Sequence, residues 1–189
     1  MLVYTMSIEE LHKEVRNDLL WLTERLKGLS IKYAKQLKNY QKIVGIKKVG
    51  VSKYKTPRGN TAQIHFWVDS KGPMALFVYK ITDGAHTKVL ICDKSANISE
   101  VTSHFIDRWV ERNKENNTLD CLIEEILDLG MGIKKGLVKE RDEKIFSIRD
   151  GICFCRSDRR DHMTLVTFVS NEMLKESQKK EVEKMKSVA

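Results

Sequence analysis

The stretch AQIHFWVDSKGPMALFVYKITDGAHTKVLIC, residues 62–92, decides the fold. It holds three apolar runs, Ala62–Val68, Met74–Ile81 and Thr87–Cys92, rich in residues that suit a pleated surface. Asp69-Ser70-Lys71-Gly72-Pro73 joins the first two runs, and Asp83-Gly84 signals a tight turn before the third. Connections this short predict an antiparallel meander. Upstream, Ile46–Tyr54 reads as extended and Thr56-Pro57-Arg58-Gly59-Asn60 as a turn, which adds a further strand.

Before the meander comes a helical pattern. Ser7-Ile8-Glu9-Glu10 is a capping box, in which the Ser hydroxyl and the Glu carboxylate each satisfy an orphan amide. Leu11, Val15, Leu19, Leu22, Leu26, Leu29, Tyr33, Leu37, Tyr40 and Val44 then recur at gaps of three or four, one face of a helix. The pattern predicts one long helix or an αα-hairpin broken near Gly28 and Ser30, serving either a coiled-coil seam or packing on a sheet.

After the meander, Ile98, Val101, Phe105, Trp109 and Val110 set one helix and Leu119–Leu129 a second, ended by Gly130 and Gly132. Strands are expected at Lys144–Arg149, Ile152–Arg156 and Thr164–Val169, with turns at Asp150-Gly151 and Ser157–Asp161. Ser170-Asn171-Glu172 caps a terminal helix from Met173 to Met185. The class is α+β: a long N-terminal helix or αα-hairpin, an antiparallel meander, two helices, a second antiparallel meander and a C-terminal helix. Two domains, 1–95 and 96–189, or one continuous domain, fit this order. One sheet and two smaller ones remain alternatives.

The chain of 189 residues is long enough to bury a core without covalent staples. Its start lacks the apolar run of a signal peptide, and no stretch reaches the length of a membrane helix. The expected location is the cytoplasm, with no membrane partner. In that setting Cys92, Cys121, Cys153 and Cys155 are expected as reduced thiols. Lys and Arg number 34 against 26 Asp and Glu, so the formal charge is +8, which points to an anionic partner such as nucleic acid.

The charge is unevenly placed. No acid occurs between Glu24 and Asp69, where Arg25, Lys27, Lys32, Lys35, Lys38, Lys42, Lys47, Lys48, Lys53, Lys55 and Arg58 all fall. Lys35, Lys38 and Lys42 are spaced to lie opposite the apolar stripe. Ammonium groups so arranged suit a phosphate backbone, because each contact releases condensed counterions. Lys32, Lys35, Lys38, Lys42, Lys47, Lys48, Lys53, Lys55 and Arg58 are the candidate nucleic-acid contacts. Tyr54, His65 and Trp67 either stack bases or belong to the core.

His104, Arg108 and Arg112 stand four apart in SHFIDRWVER, residues 103–112, and line one helix face. Two guanidiniums bind a phosphate and stabilise charge in phosphoryl transfer, while an imidazole moves a proton. This helix, the Asp150-Gly151 turn and Thr167 in LVTFV, residues 165–169, resemble the barnase–EndoU–colicin–RelE-like nucleases over residues 98–170. The resemblance implies a metal-independent ribonuclease that attacks through the ribose 2′-hydroxyl and needs no cofactor. His104 would be its base or acid, Arg108 and Arg112 its phosphate clamp, and Thr167 a donor to the phosphate.

Other patterns carry less. Cys153 and Cys155 share a strand face with His162 nearby, but a closed zinc site needs four ligands, so no metal is expected. Asp158-Arg159-Arg160-Asp161 reads as a hairpin tip, and the glycine-rich Gly130–Gly136 as a connection. Two function classes follow. One is a basic protein that binds nucleic acid, RNA before DNA, with an endoribonuclease as its sharpest form. The other is a structural or assembly protein, for example phage-encoded, that forms homo-oligomers through the long helix.

Overall fold

The computed structural model describes residues 1–33, 46–70, 72–113, 118–130, 136–138, 143–148, 151–177, 179–180 and 183. The fold is mixed α+β with antiparallel strand pairing throughout its two meanders. Two compact units divide it, Met1–Ser99 and Glu100–Ala189. No described helix is long and apolar enough to cross a membrane.

The first unit opens with α1 (Ile8–Lys32). Both halves of the capping box form: the Glu10 amide donates to Ser7 Oγ at 3.3 Å and the Ser7 amide to Glu10 Oε2 at 2.8 Å. Gly28 and Ser30 do not break the helix, and Ser30 Oγ donates back to the Leu26 carbonyl at 3.0 Å. The continuation of the helical pattern to Val44, with Lys35, Lys38 and Lys42, lies outside the described residues. Four strands follow, β1 (Lys47–Lys55), β2 (Thr61–Asp69), β3 (Gly72–Asp83) and β4 (His86–Cys92), each paired antiparallel with the next.

The side-chain period of two decides which strand residues meet α1. Leu11, Val15, Leu19, Leu22, Leu26 and Leu29 form one buried cluster with Ala62, Ile64, Phe66, Ala75, Phe77, Tyr79, Leu90 and Cys92. The apolar stripe of α1 is therefore spent in the unit's own core. Of the two roles the stripe could serve, packing on a sheet is the one observed.

A short strand, β5 (Ile98–Val101), leads the chain from the first unit into the second. Here the sequence expectation is corrected: Ile98 and Val101 belong to a strand, and the helix α2 (Ser103–Arg112) begins only after Thr102, whose hydroxyl accepts from the Phe105 amide at 3.2 Å. The spacing of Ile98, Val101 and Phe105 imitated a helix because a strand face and a helix stripe happen to meet in phase. Helix α3 (Leu119–Gly130) comes next, burying Leu122, Ile123, Ile126 and Leu127.

The second meander is β6 (Gly136–Val138), β7 (Glu143–Ile148), β8 (Gly151–Arg159) and β9 (His162–Ser170). Its first strand falls at the end of the stretch read as a glycine-rich connection, of which residues 131–135 lie outside the described residues. The turn expected over Ser157–Asp161 is tighter, since Arg159 already pairs with His162. Arg149 and Asp150, of the turn before β8, lie outside the described residues. A 3-10 turn occupies Asn171–Met173, where the terminal helix was expected to start. The Lys179 amide donates to the Lys175 carbonyl at 2.9 Å in helical fashion, and most of the expected helix beyond it lies outside the described residues.

Candidate nucleic-acid interface

Strand β1 stands at the end of its sheet and pairs only with β2 among the described residues. The register opposes Lys48 to Trp67, Val51 to His65, Lys53 to Gln63 and Lys55 to Thr61. Residues directly opposite share a face, and Ala62, Ile64 and Phe66 define the face that meets α1. Lys48, Lys53 and Lys55 therefore line the other face, and all three are exposed. Lys47, also exposed, opposes Val68 and takes the α1 side, because a bulge between Lys48 and Gly50 shifts the phase. At Gly50 an added Cβ would lie 2.6 Å from the Tyr33 hydroxyl, so the Tyr33 side chain packs closely over this position. Lys32 is exposed in the last turn of α1, with Nζ 5.2 Å from the Tyr33 ring centroid.

Arg58 is bound to a buried carboxylate. It donates through Nε at 2.9 Å and Nη2 at 2.5 Å to the buried Glu14 carboxylate, so its charge is already matched. Glu14 also meets the Met1 amine at 2.6 Å and Asn60 Nδ2 at 3.1 Å. The Arg58 guanidinium foremost, then the amine and Asn60, hold the Glu14 pKa at about 2, against burial that raises it. Asn60 spends its amide fully: Nδ2 also donates to Asp18 at 2.7 Å, and Oδ1 accepts from the Leu2 amide at 2.5 Å. Burial lifts the Asp18 carboxyl above its ordinary range, opposed by hydrogen bonds from Asn60 and Thr56. Together these contacts lock the Thr56–Asn60 turn onto α1.

The sequence reading missed Glu14, Asp18 and Asn60. The available signal was that Glu14 and Asp18, four apart, flank the apolar stripe of α1 at Val15 and Leu19. Both carboxylates are buried, at 5% and 1% exposure, so their role is to hold the turn on α1.

The aromatic rings near the lysines are packed. His65 and Trp67 are 3% and 2% exposed and stack on each other with centroids 5.8 Å apart. Tyr54 meets Trp21 edge-on at 6.1 Å, and Tyr33 stacks on Phe66 at 6.0 Å. Of the two roles left open for Tyr54, His65 and Trp67, packing is the one observed.

In the second unit α2 lies on β9. The Phe105 and Phe168 rings meet at 6.3 Å, and Thr102 Oγ1 donates to the Leu165 carbonyl at 3.1 Å. His104 is exposed and Arg108 and Arg112 are half-buried. Arg112 donates to the Phe168 carbonyl and so ties α2 to β9. Arg108 pairs with Glu111 at 2.9 Å. Thr167 is half-buried on β9, opposite Phe154. Arg112 thus reaches the residue beside Thr167, but no hydrogen bond or ion pair joins His104, Arg108, Arg112 and Thr167 to one another.

Among the described residues no group of three or more His, Cys, Asp or Glu could hold a metal ion. The four cysteines are free, and burial pushes the Cys153 thiol well above its ordinary range. Comparison with protein-family models, curated proteins and solved structures returns no match.

Proposed function

We propose that this chain is a cytoplasmic nucleic-acid-binding protein that meets phosphates with the lysine face of β1. The observation that carries this reading is the row Lys48, Lys53 and Lys55 on one exposed face of an end strand, within an interval that contains no acid. Lys53 and Lys55 sit two residues apart, about 6.6 Å along a strand, close enough to serve one backbone. The nuclease-like pattern of α2 makes RNA the expected polymer. Lysine on an end strand also discourages pairing with foreign strands, but that role does not require acids to be missing from 44 consecutive positions, residues 25–68.

The competing reading, an assembly protein that oligomerises through α1, needs an unspent apolar stripe, and residues 11–29 of that stripe are buried in the chain's own core. Cleavage is the narrower form of the nucleic-acid reading. Its guanidiniums are engaged by Glu111 and by the Phe168 carbonyl, so a catalytic role requires at least Arg108 to exchange partners.

The test is fluorescence anisotropy with a labelled RNA over a salt series. Changing both Lys53 and Lys55 to Glu should cut the slope of log K against log salt by about 1.4–1.8, since each of the two contacts contributes roughly 0.7–0.9. An unchanged slope and affinity would refute the interface. Incubating a mixed RNA pool with wild type and His104→Ala in EDTA tests cleavage; equal products from both would end the catalytic form.

A further inference from the structure

We infer that the partner of the β1 lysine face is double-stranded RNA, and that bases are not read by stacking. This rests on the proposed nucleic-acid reading and goes on to name the form of the polymer. Within the described part of the acid-free interval there are five rings: Tyr33, Tyr54, His65, Phe66 and Trp67. Phe66, His65 and Trp67 are buried, and Tyr33 and Tyr54 are half-buried with ring partners of their own. The face that displays the lysines shows one large apolar side chain, Val51, which has no π face to offer.

Proteins that hold single strands combine a positive groove with aromatic platforms on which successive bases lie. Here the charge is present and the described platforms are turned into the core. A flexible single strand would be ordered on this surface without stacking to offset the ordering cost. A duplex arrives already ordered, its bases are stacked on one another, and it presents phosphates at the higher charge density. Lysines on an extended strand match that demand, because they need only phosphate oxygens.

The experiment measures binding of one labelled RNA as a 20-base-pair duplex and as each separated strand, chosen to lack internal pairing. Protein, buffer and salt series are the same. Duplex should bind several-fold more tightly at about 100 mM salt, and for three contacts its slope should be steeper by about 0.6, the difference between 0.9 and 0.7 per phosphate. A second duplex of scrambled sequence should compete equally. Changing Lys53 and Lys55 to Gln should weaken duplex binding while circular dichroism stays unchanged. If the single strands bind as well as the duplex or better, the duplex inference is overturned and the nucleic-acid reading stands. If the second duplex competes poorly, readout without bases is overturned. If neither form binds in a salt-dependent manner, both readings fall.

Discussion

Asn60 is the residue on which the attachment of the β1–β2 turn depends, and two substitutions separate its roles. Its side chain makes three hydrogen bonds: one accepted from the Leu2 amide, and one donated to each of the carboxylates of Glu14 and Asp18. Bonds to charged groups contribute about 1.5–3 kcal/mol each, and neutral ones about 1. Glu14 keeps Arg58 and the amine if Asn60 is lost, so part of the loss is recovered. Asn60→Ala should then cost about 3 kcal/mol near pH 7, or roughly 15 °C in the melting of a unit of this size. Asn60→Asp preserves the shape but turns two donors into a third buried carboxylate facing the other two. It should cost at least as much at pH 7. Its folded state would bind more protons than its unfolded state, so its stability should rise as the pH falls from 7 toward 5. Asn60→Ala should show a smaller recovery, arising from Asp18 alone, which loses a hydrogen bond that favours its ionised form. The assay is urea unfolding at several pH values, followed by the fluorescence of Trp21 and Trp67 in a Trp109→Phe background so that the second unit's tryptophan does not contribute. A loss below about 1 kcal/mol in both variants, or parallel pH profiles, would refute the network as described.

Other outcomes are expected. Glu14 has a folded pKa of about 2 against an ordinary 4.5, so its contribution is complete above 4.5 and fades as pH falls toward 2; Glu14→Gln should flatten the acid limb of the stability curve. Gly151→Ala should destabilise the second unit by several kcal/mol, because its Cβ would collide with the Val169 carbonyl and come within 2.5 Å of the Phe168 ring; a melting temperature unchanged within 2 °C would count against that packing. Thiol labelling of the native protein should modify half-buried Cys121 first, and Cys92 and Cys153, buried with raised thiol pKa values, only on unfolding; mass spectrometry of labelled peptides reads the order.

Local rules set most of the elements. The capping box fixed the start of α1 from four residues, and the turn Asp83-Gly84 with its flanking alternation set a hairpin whose pairing of Asp83 with His86 follows. These signals are legible because their partners are at most a few residues away. The same rules failed at Ile98–Val101, where a strand run and a helix stripe joined without a visible break and only Thr102 marked the boundary. The tertiary structure alone decided the fates of the charges and rings. Arg58 reads as one of eleven bases in an acid-free interval, yet its partner Glu14 stands 44 residues earlier in the chain. Trp67 and His65 could face water or core on an alternating strand, and burial on both faces of β2 turned them inward. Sequence spacing determines which side chains share a face, but which face is covered depends on distant elements that fold against it, and so does whether a charge is left for a ligand.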